Sequence, residues 1–221
     1  MELKSIKANF LGDSITQGCG TSSPDKVFHA LIKEKYGLAE ARNYGKGGTR
    51  IARQSEIKDP DEPRDKDFIL RAEDMDPDAD LIVVFGGTND YGHGDAKLGV
   101  FDDKDDYTFY GALHNLAKYL ASTFPKDKIC FILPIPRFDQ NNPYGDGSKD
   151  EAGVSLQEYI KAEIKTLDFY GVEYLDLSDK FYIPNTQQDD GNLYADGLHP
   201  NAKGHRFLAD CLIEYLTKKG L

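Results

Sequence analysis

Three residues in two short segments have the types and spacing that could hydrolyse an acyl compound. Ser14 lies in GDSIT, at residues 12–16, directly after a strand-like apolar run, so its hydroxyl could attack a carbonyl carbon. Asp196 precedes His199 by three residues in DGLHP, and the intervening glycine allows a tight turn. A histidine can accept the serine proton, and an aspartate can orient that histidine. Each segment alone is also typical of a turn or a helix cap, but together they predict a Ser-His-Asp triad.

A glycine-rich segment, GGTND at residues 86–90, could stabilise the negative charge that acyl transfer develops on the carbonyl oxygen. It follows a continuously apolar run, so we expect the side-chain amide of Asn89 at the carboxyl end of a strand. The GKGGT loop at residues 45–49 could add a backbone N–H donor. Ordinary glycine turns are the alternative for both segments, and the residue order of a phosphate-binding loop is absent.

These segments, taken in order, resemble the SGNH hydrolases, also called GDSL esterases and lipases. The four blocks GDSIT, NYGKGGT, GTND and DGLHP stand at residues 12–16, 43–49, 87–90 and 196–200, which span nearly the whole chain. The resemblance implies a flavodoxin-like three-layer α/β/α fold and ester hydrolysis without a metal or another cofactor. The α/β-hydrolases are excluded because their G-x-S-x-G segment is absent here.

Matched by position, the resemblance implies roles for five residues. Ser14 is implied as the nucleophile, His199 as the general base and Asp196 as the residue that orients it. The backbone N–H groups of Ser14 and Gly48 and the side-chain amide of Asn89 are implied as the oxyanion hole.

The sequence departs from the family pattern at two places. Ile15 stands where the family name has leucine, which exchanges one apolar residue for another. Gly47 and Gly48 are adjacent, so the glycine of the oxyanion hole is open by one position. Gly48 fits the family spacing from Asn43 better.

Alternating strand and helix patterns predict the elements that must position these residues. The strand candidates are residues 5–11, 41–44, 80–85, 128–135 and 172–177, and the helix candidates are residues 24–38, 67–73, 108–124, 155–170 and 201–219. Two of the strand candidates are continuously apolar, as parallel strands covered on both faces are. Ser155 and Glu158 predict a capping box at the start of one helix. The pattern predicts one domain, residues 1–221, with a five-stranded parallel sheet and ligands at the carboxyl ends of its strands.

Composition excludes several classes of function. The 221 residues carry a formal net charge of −11, which argues against nucleic acid and anionic membrane as partners. The apolar runs are too short for a membrane-spanning helix. Three widely spaced cysteines suggest neither a disulfide framework nor a zinc site. No signal-peptide pattern is present, so a cytoplasmic location is the expectation, with a previously removed signal peptide as the alternative.

Three irregular segments, residues 59–80, 101–107 and 139–153, interrupt the pattern with acidic and polar residues. The aspartates within residues 101–107 lack the spacing of an EF-hand, so we expect no metal requirement, and calcium binding there is the alternative. His93, in the loop after Asn89, is a candidate substrate contact. Four tyrosines in or beside these loops could stack on sugar rings: Tyr91, Tyr107, Tyr144 and Tyr194.

These features favour a short-chain acyl esterase, with O-acetyl groups on carbohydrates as candidate substrates. Within the family, the alternatives are a lysophospholipase, a thioesterase or an acyltransferase. A non-catalytic carbohydrate-binding protein on the same fold is an alternative from another class, although such a protein needs no complete set of Ser14, Asn89, Asp196 and His199.

Overall fold

The computed structural model describes residues 5–55, 66–182 and 192–220 of the chain. Its strands are β1 (Lys7–Gly12), β2 (Glu40–Gly45), β3 (Leu81–Phe85), β4 (Ile129–Ile132) and β5 (Glu173–Leu175). They form one parallel sheet in the order β2-β1-β3-β4-β5, which confirms the predicted five-stranded parallel sheet.

Helices cover both faces of this sheet. They are α1 (Ser14–Gln17), α2 (Phe28–Tyr36), α3 (Phe68–Glu73), α4 (Thr88–His93), α5 (Phe109–Thr123), α6 (Leu156–Tyr170) and α7 (Ala202–Lys219). Because successive strand residues point to opposite faces, Val83 packs with α2 and α7, whereas Val84 packs with α3, α5 and α6. Two buried cores result, one on each side of the sheet. The fold is therefore the expected three-layer α/β/α sandwich.

The register of the central strands brings three chemical segments to one edge of the sheet. Gly12, the last residue of β1, pairs with Gly45 of β2 on one side and with Phe85 of β3 on the other. The carboxyl ends of the three strands consequently lie at the same height along the edge of the sheet. The segments that follow them, which hold Ser14, Gly48 and Asn89, begin side by side.

The helix predicted over residues 24–38 is divided. Pro24–Lys26 form a 3₁₀ turn, Val27 is extended, and α2 begins only at Phe28. The extended residue lets the N–H of Phe28 donate to Nδ1 of His205, at 3.3 Å, instead of continuing a helix from the preceding turn. Gly37 ends α2 with a left-handed backbone, close to the predicted end.

Two further local expectations need correction. The strand predicted to Ile135 ends at Ile132, because Pro134 and Pro136 have no N–H for the ladder. Ser155 is the residue before α6, but its side chain makes no capping hydrogen bond.

A contact with the preceding loop replaces the serine of the predicted capping box, and the glutamate pairs within the helix instead. The N–H of Leu156 donates to the backbone carbonyl of Gln140, at 2.9 Å, and Glu158 pairs with Lys161, at 2.7 Å. The cap of α6 thus comes from the loop before it.

None of the helices within the described ranges is long and apolar enough to cross a membrane.

Candidate active site

Ser14 is held at the edge of the sheet by the turn between β1 and α1. Asp13 caps α1 by accepting a hydrogen bond from the N–H of Ile15, at 2.9 Å. Ser14 is the first residue of the helix, so its N–H has no acceptor within the helix. A side chain at Gly12 would overlap the side chain of Thr16, so only glycine fits where the chain leaves the strand.

His199 and Asp196 meet Ser14 from the other end of the chain. Nε2 of His199 lies 3.0 Å from Oγ of Ser14, and Nδ1 lies 2.7 Å from Oδ2 of Asp196. Because a carboxylate only accepts, Nδ1 carries the proton and Nε2 is left to accept the hydroxyl proton of Ser14. The arrangement can therefore move a proton from the serine to the histidine.

The turn between Asp196 and His199 is fixed by hydrogen bonds from backbone N–H groups to the Asp196 carboxylate. Oδ1 of Asp196 accepts from the N–H groups of Leu198, at 3.0 Å, and His199, at 2.8 Å. Gly197 has φ +85°, a left-handed conformation that side chains rarely adopt. Burial raises the pKa of Asp196, but the bonds from the imidazole and the two N–H groups outweigh it and leave the pKa below the ordinary value.

Asn89 comes from the opposite side, where β3 continues through a glycine turn into α4. Its side chain is 2% exposed, and its amide donates one hydrogen bond to the carbonyl of Thr49, at 3.0 Å. That bond fixes the orientation of the amide and leaves its second hydrogen for another acceptor. Asp90 holds the same two segments together, since its carboxylate accepts from the N–H groups of Ile51 and Ala52, at 2.9 and 2.8 Å.

The two adjacent glycines of the loop after β2 have different surroundings. The N–H of Gly47 donates to the side-chain carbonyl of Gln17, at 2.7 Å. Gly48 has a left-handed backbone, with φ +76°, and no described residue accepts from its N–H. Of the two N–H groups, that of Gly48 is thus the one left for a ligand from among the described contacts.

The GDSL-like lipase/acylhydrolase family matches the chain over residues 10–207. The chain belongs to this family.

The GDSL hydrolase is also similar to proteins of known structure. A protein from Lactobacillus plantarum is 30% identical, with a TM-score of 0.80 over 97% of this chain and 98% of that chain. The acetyl xylan esterase AlAXEase is 24% identical, with a TM-score of 0.65 over 95% and 99% of the two chains. A two-domain esterase active on acetylated mannans is 18% identical, with a TM-score of 0.59 over 97% of this chain and 50% of that chain. No curated protein sequence matches the chain.

Two of the tyrosines expected to stack on sugars do not have accessible rings in the GDSL hydrolase. Tyr91 is 1% exposed, and its hydroxyl donates to the carbonyls of Asp139 and Asn142. Tyr194 is 2% exposed and donates to the carbonyl of Pro136. These hydroxyls satisfy backbone groups of the loop after β4, so both residues hold that loop, and the substrate contact expected of Tyr91 stays a prediction.

The other candidate contacts remain predictions. Tyr107 and Tyr144 are exposed on their loops. His93 is partly exposed, with its Nδ1 3.0 Å from Oδ2 of Asp146. Burial lowers the pKa of His93, and its bond with Asp146 opposes that effect.

The acidic loop at residues 101–107 uses its carboxylates for local structure. Asp103 accepts from the N–H of Val100, at 2.9 Å, and Asp106 pairs with Arg53, at 3.2 Å. Within the described ranges, no three His, Cys, Asp or Glu side chains are placed to hold a metal ion.

The sequence did not reveal the arginines that hold the edge of the sheet together. Arg71 donates to the carbonyl of Gly12, at 3.0 Å, and to the hydroxyl of Thr49, at 2.9 Å. It lies in α3, 59 residues from Gly12, so no local spacing connects the two. Arg137, after β4, contacts the first residue of α4 in a similar way.

Proposed function

We propose that this GDSL hydrolase removes short acyl groups from esters, with O-acetyl groups on carbohydrates as its substrates. The observation that supports the reaction best is the continuous contact from Ser14 through His199 to Asp196, at 3.0 and 2.7 Å. In this proposal Ser14 is the nucleophile, His199 the general base and Asp196 the residue that orients the imidazole. The carbonyl oxygen of the ester accepts hydrogen bonds from the N–H groups of Ser14 and Gly48 and from the side-chain amide of Asn89.

The reaction proceeds in two acyl-transfer steps. Oγ of Ser14 bonds to the carbonyl carbon while its proton passes to Nε2 of His199, and the negative charge on the carbonyl oxygen is held by the three donors. The carbon–oxygen bond to the alcohol then breaks, and the alcohol leaves with the proton from His199. Water gives a proton to His199 and attacks the acyl-serine. The carboxylic acid leaves, and the proton returns to Ser14.

Two observations support a carbohydrate ester as the substrate. The side chain of Asp196 is 54% exposed, so this end of the site is open and has room for a bulky alcohol. The ring of Phe138 is 41% exposed and packs against Gly197, in the same turn as His199. An apolar ring beside the residue that protonates the leaving alcohol suits the C–H face of a sugar. Esterases that act on acetylated xylan and mannan share this fold, which is in keeping with that choice.

Hydrolysis of p-nitrophenyl esters from acetate to palmitate tests the acyl part of the proposal, with Ser14→Ala as the control. We expect activity that falls steeply beyond butyrate and drops by at least about 10³-fold in Ser14→Ala. Release of acetate from acetylated xylo- and manno-oligosaccharides tests the alcohol part. A preference for long chains would support a lipase or lysophospholipase. Wild-type activity in Ser14→Ala would refute the triad, and inactivity together with no labelling by an organophosphonate would favour a binding protein.

A further inference from the structure

Arg137 is a buried cation that contacts the turn carrying Asn89. It is 5% exposed, and its Nη1 donates to the carbonyl oxygen and to the hydroxyl of Thr88, at 3.2 and 3.3 Å. Thr88 is the first residue of α4, and Asn89 is the second. Removing a guanidinium from water is unfavourable unless other groups compensate for the loss of hydration. The position of Arg137 therefore calls for a reason beyond packing.

Gly92 is fitted to this arginine. It lies within α4 and does not have a left-handed backbone, and in a helix glycine is less favourable than alanine. A Cβ atom at Gly92 would lie 2.8 Å from Nη1 of Arg137, which is closer than such contacts occur. A side chain at residue 92 would therefore force the guanidinium of Arg137 to move.

The charge of Arg137 acts on both sides of the proposed site. Burial lowers its pKa, and the facing groups Asp146, Tyr91, Asp139 and Asp13 oppose that effect. Arginine nevertheless stays protonated at neutral pH. Asp13, the residue before Ser14, has its pKa raised by burial to about 6, and Arg137 is among the cations that counter the rise. A fixed positive charge is thus within electrostatic range of the nucleophile turn and in contact with the turn that carries Asn89.

We propose that Arg137 is a positioning residue for the oxyanion hole. It holds the first turn of α4 so that the amide of Asn89 keeps its orientation. Its buried positive charge also stabilises the negative charge that develops on the carbonyl oxygen of the ester. Preorganised charges of this kind act most strongly in the transition state, where the oxygen is anionic. The inference rests on the proposed function, because it assigns Arg137 to the same reaction.

Arg137→Met and Arg137→Lys test this role, with Arg53→Met as the matched control. Methionine removes both charge and donors, lysine keeps the charge, and the ion-pair partners of Arg53, Asp67 and Asp106, both lie outside α4. For Arg137→Met we expect kcat on p-nitrophenyl acetate to fall about 10- to 100-fold with KM within about twofold. A trifluoromethyl ketone, whose adduct with the serine carries an oxyanion, should bind more weakly by the same factor. Arg137→Lys should recover part of both losses, and Arg53→Met should change neither.

Wild-type kcat and ketone affinity in folded Arg137→Met would overturn the inference. If that variant does not fold, Arg137→Lys and Gly92→Ala test the inference instead. The first keeps the charge, and the second displaces the guanidinium without removing it. Both should lower kcat, and wild-type kcat in both would also overturn the inference. Failure of the proposed function is a separate result, since it would appear as undiminished activity in Ser14→Ala.

Discussion

The two sides of the proposed site are built in different ways. The side that holds His199 is a single turn, in which the partners are three residues apart and the Asp196 side chain is 54% exposed. The side that holds Asn89 is buried, and its partner Thr49 is 40 residues away in sequence. The first side depends on local geometry and water-exposed charge. The second depends on tertiary contacts, so its donors are preorganised before a substrate arrives.

This difference predicts that the buried side contributes more to catalysis than the exposed acid. Asn89→Ala should lower kcat about 10²- to 10³-fold with little change in KM, because the donor acts on the charge of the transition state. Steady-state kinetics on p-nitrophenyl acetate measure this effect. Asn115→Ala is the matched control, since Asn115 lies in α5 and donates to the carbonyl of Lys104 and the carboxylate of Asp106 in the loop before that helix. A rise in KM with kcat unchanged would mean that Asn89 contributes only to ordinary substrate binding.

Asp196→Asn should cost less, about 10- to 100-fold in kcat. Where the aspartate of such a triad is buried, its replacement by asparagine lowers kcat about 10⁴-fold, because the imidazole then takes the wrong tautomer. Here water reaches the half-exposed side chain and can take over part of its hydrogen bonding to His199. Measuring kcat for Asp196→Asn and Asn89→Ala side by side tests the comparison. A larger loss in Asp196→Asn would reverse it.

The same contrast explains which parts of the molecule could be predicted from sequence. The parallel sheet followed from apolar runs, and the Asp196–His199 contact followed from a three-residue spacing, because both signals are local. The helix α4 was missed, since Thr88–His93 reads as a glycine-rich turn and becomes helical only against the rest of the fold. The burial of Tyr91 was not foreseen for the same reason, because nothing near it in sequence reveals that its hydroxyl donates to the carbonyls of Asp139 and Asn142.

The buried side should also make folding stability depend on pH. Glu163, in α6, is 0% exposed, packs against Gly87, and has no described hydrogen-bond partner for either oxygen. Burial raises its pKa well above the ordinary value, and the carboxylates of Asp90 and Asp13 raise it further. The folded protein therefore holds a proton that the unfolded chain releases, so this contribution to stability is present in acid and is lost as pH rises through the folded pKa.

Glu163→Gln should remove that loss, because the amide resembles the protonated carboxyl and does not titrate. The unfolding midpoint of the variant should exceed that of the wild type by at least about 2–4 °C at pH 8, and the gap should close towards pH 4. Thermal unfolding followed by circular dichroism across this range measures it. Glu158→Gln is the control, since the side chain of Glu158 is only partly buried, at 43% exposed, and pairs with Lys161 on the same helix. A gap that does not change with pH would mean that Glu163 acts through packing alone.

The smallest effect is expected at the exposed side, where Phe138 packs against Gly197 in the turn that carries His199. Phe138→Ala should raise KM for acetylated xylo-oligosaccharides about 2- to 10-fold, because part of the ring's apolar surface is covered only when a sugar binds. The same variant should leave p-nitrophenyl acetate hydrolysis nearly unchanged. Phe169→Ala is the control, because Phe169 is 65% exposed and packs on Phe101 and His114, away from that turn. An equal loss on both substrates would show that Phe138 supports the position of His199 instead of the sugar.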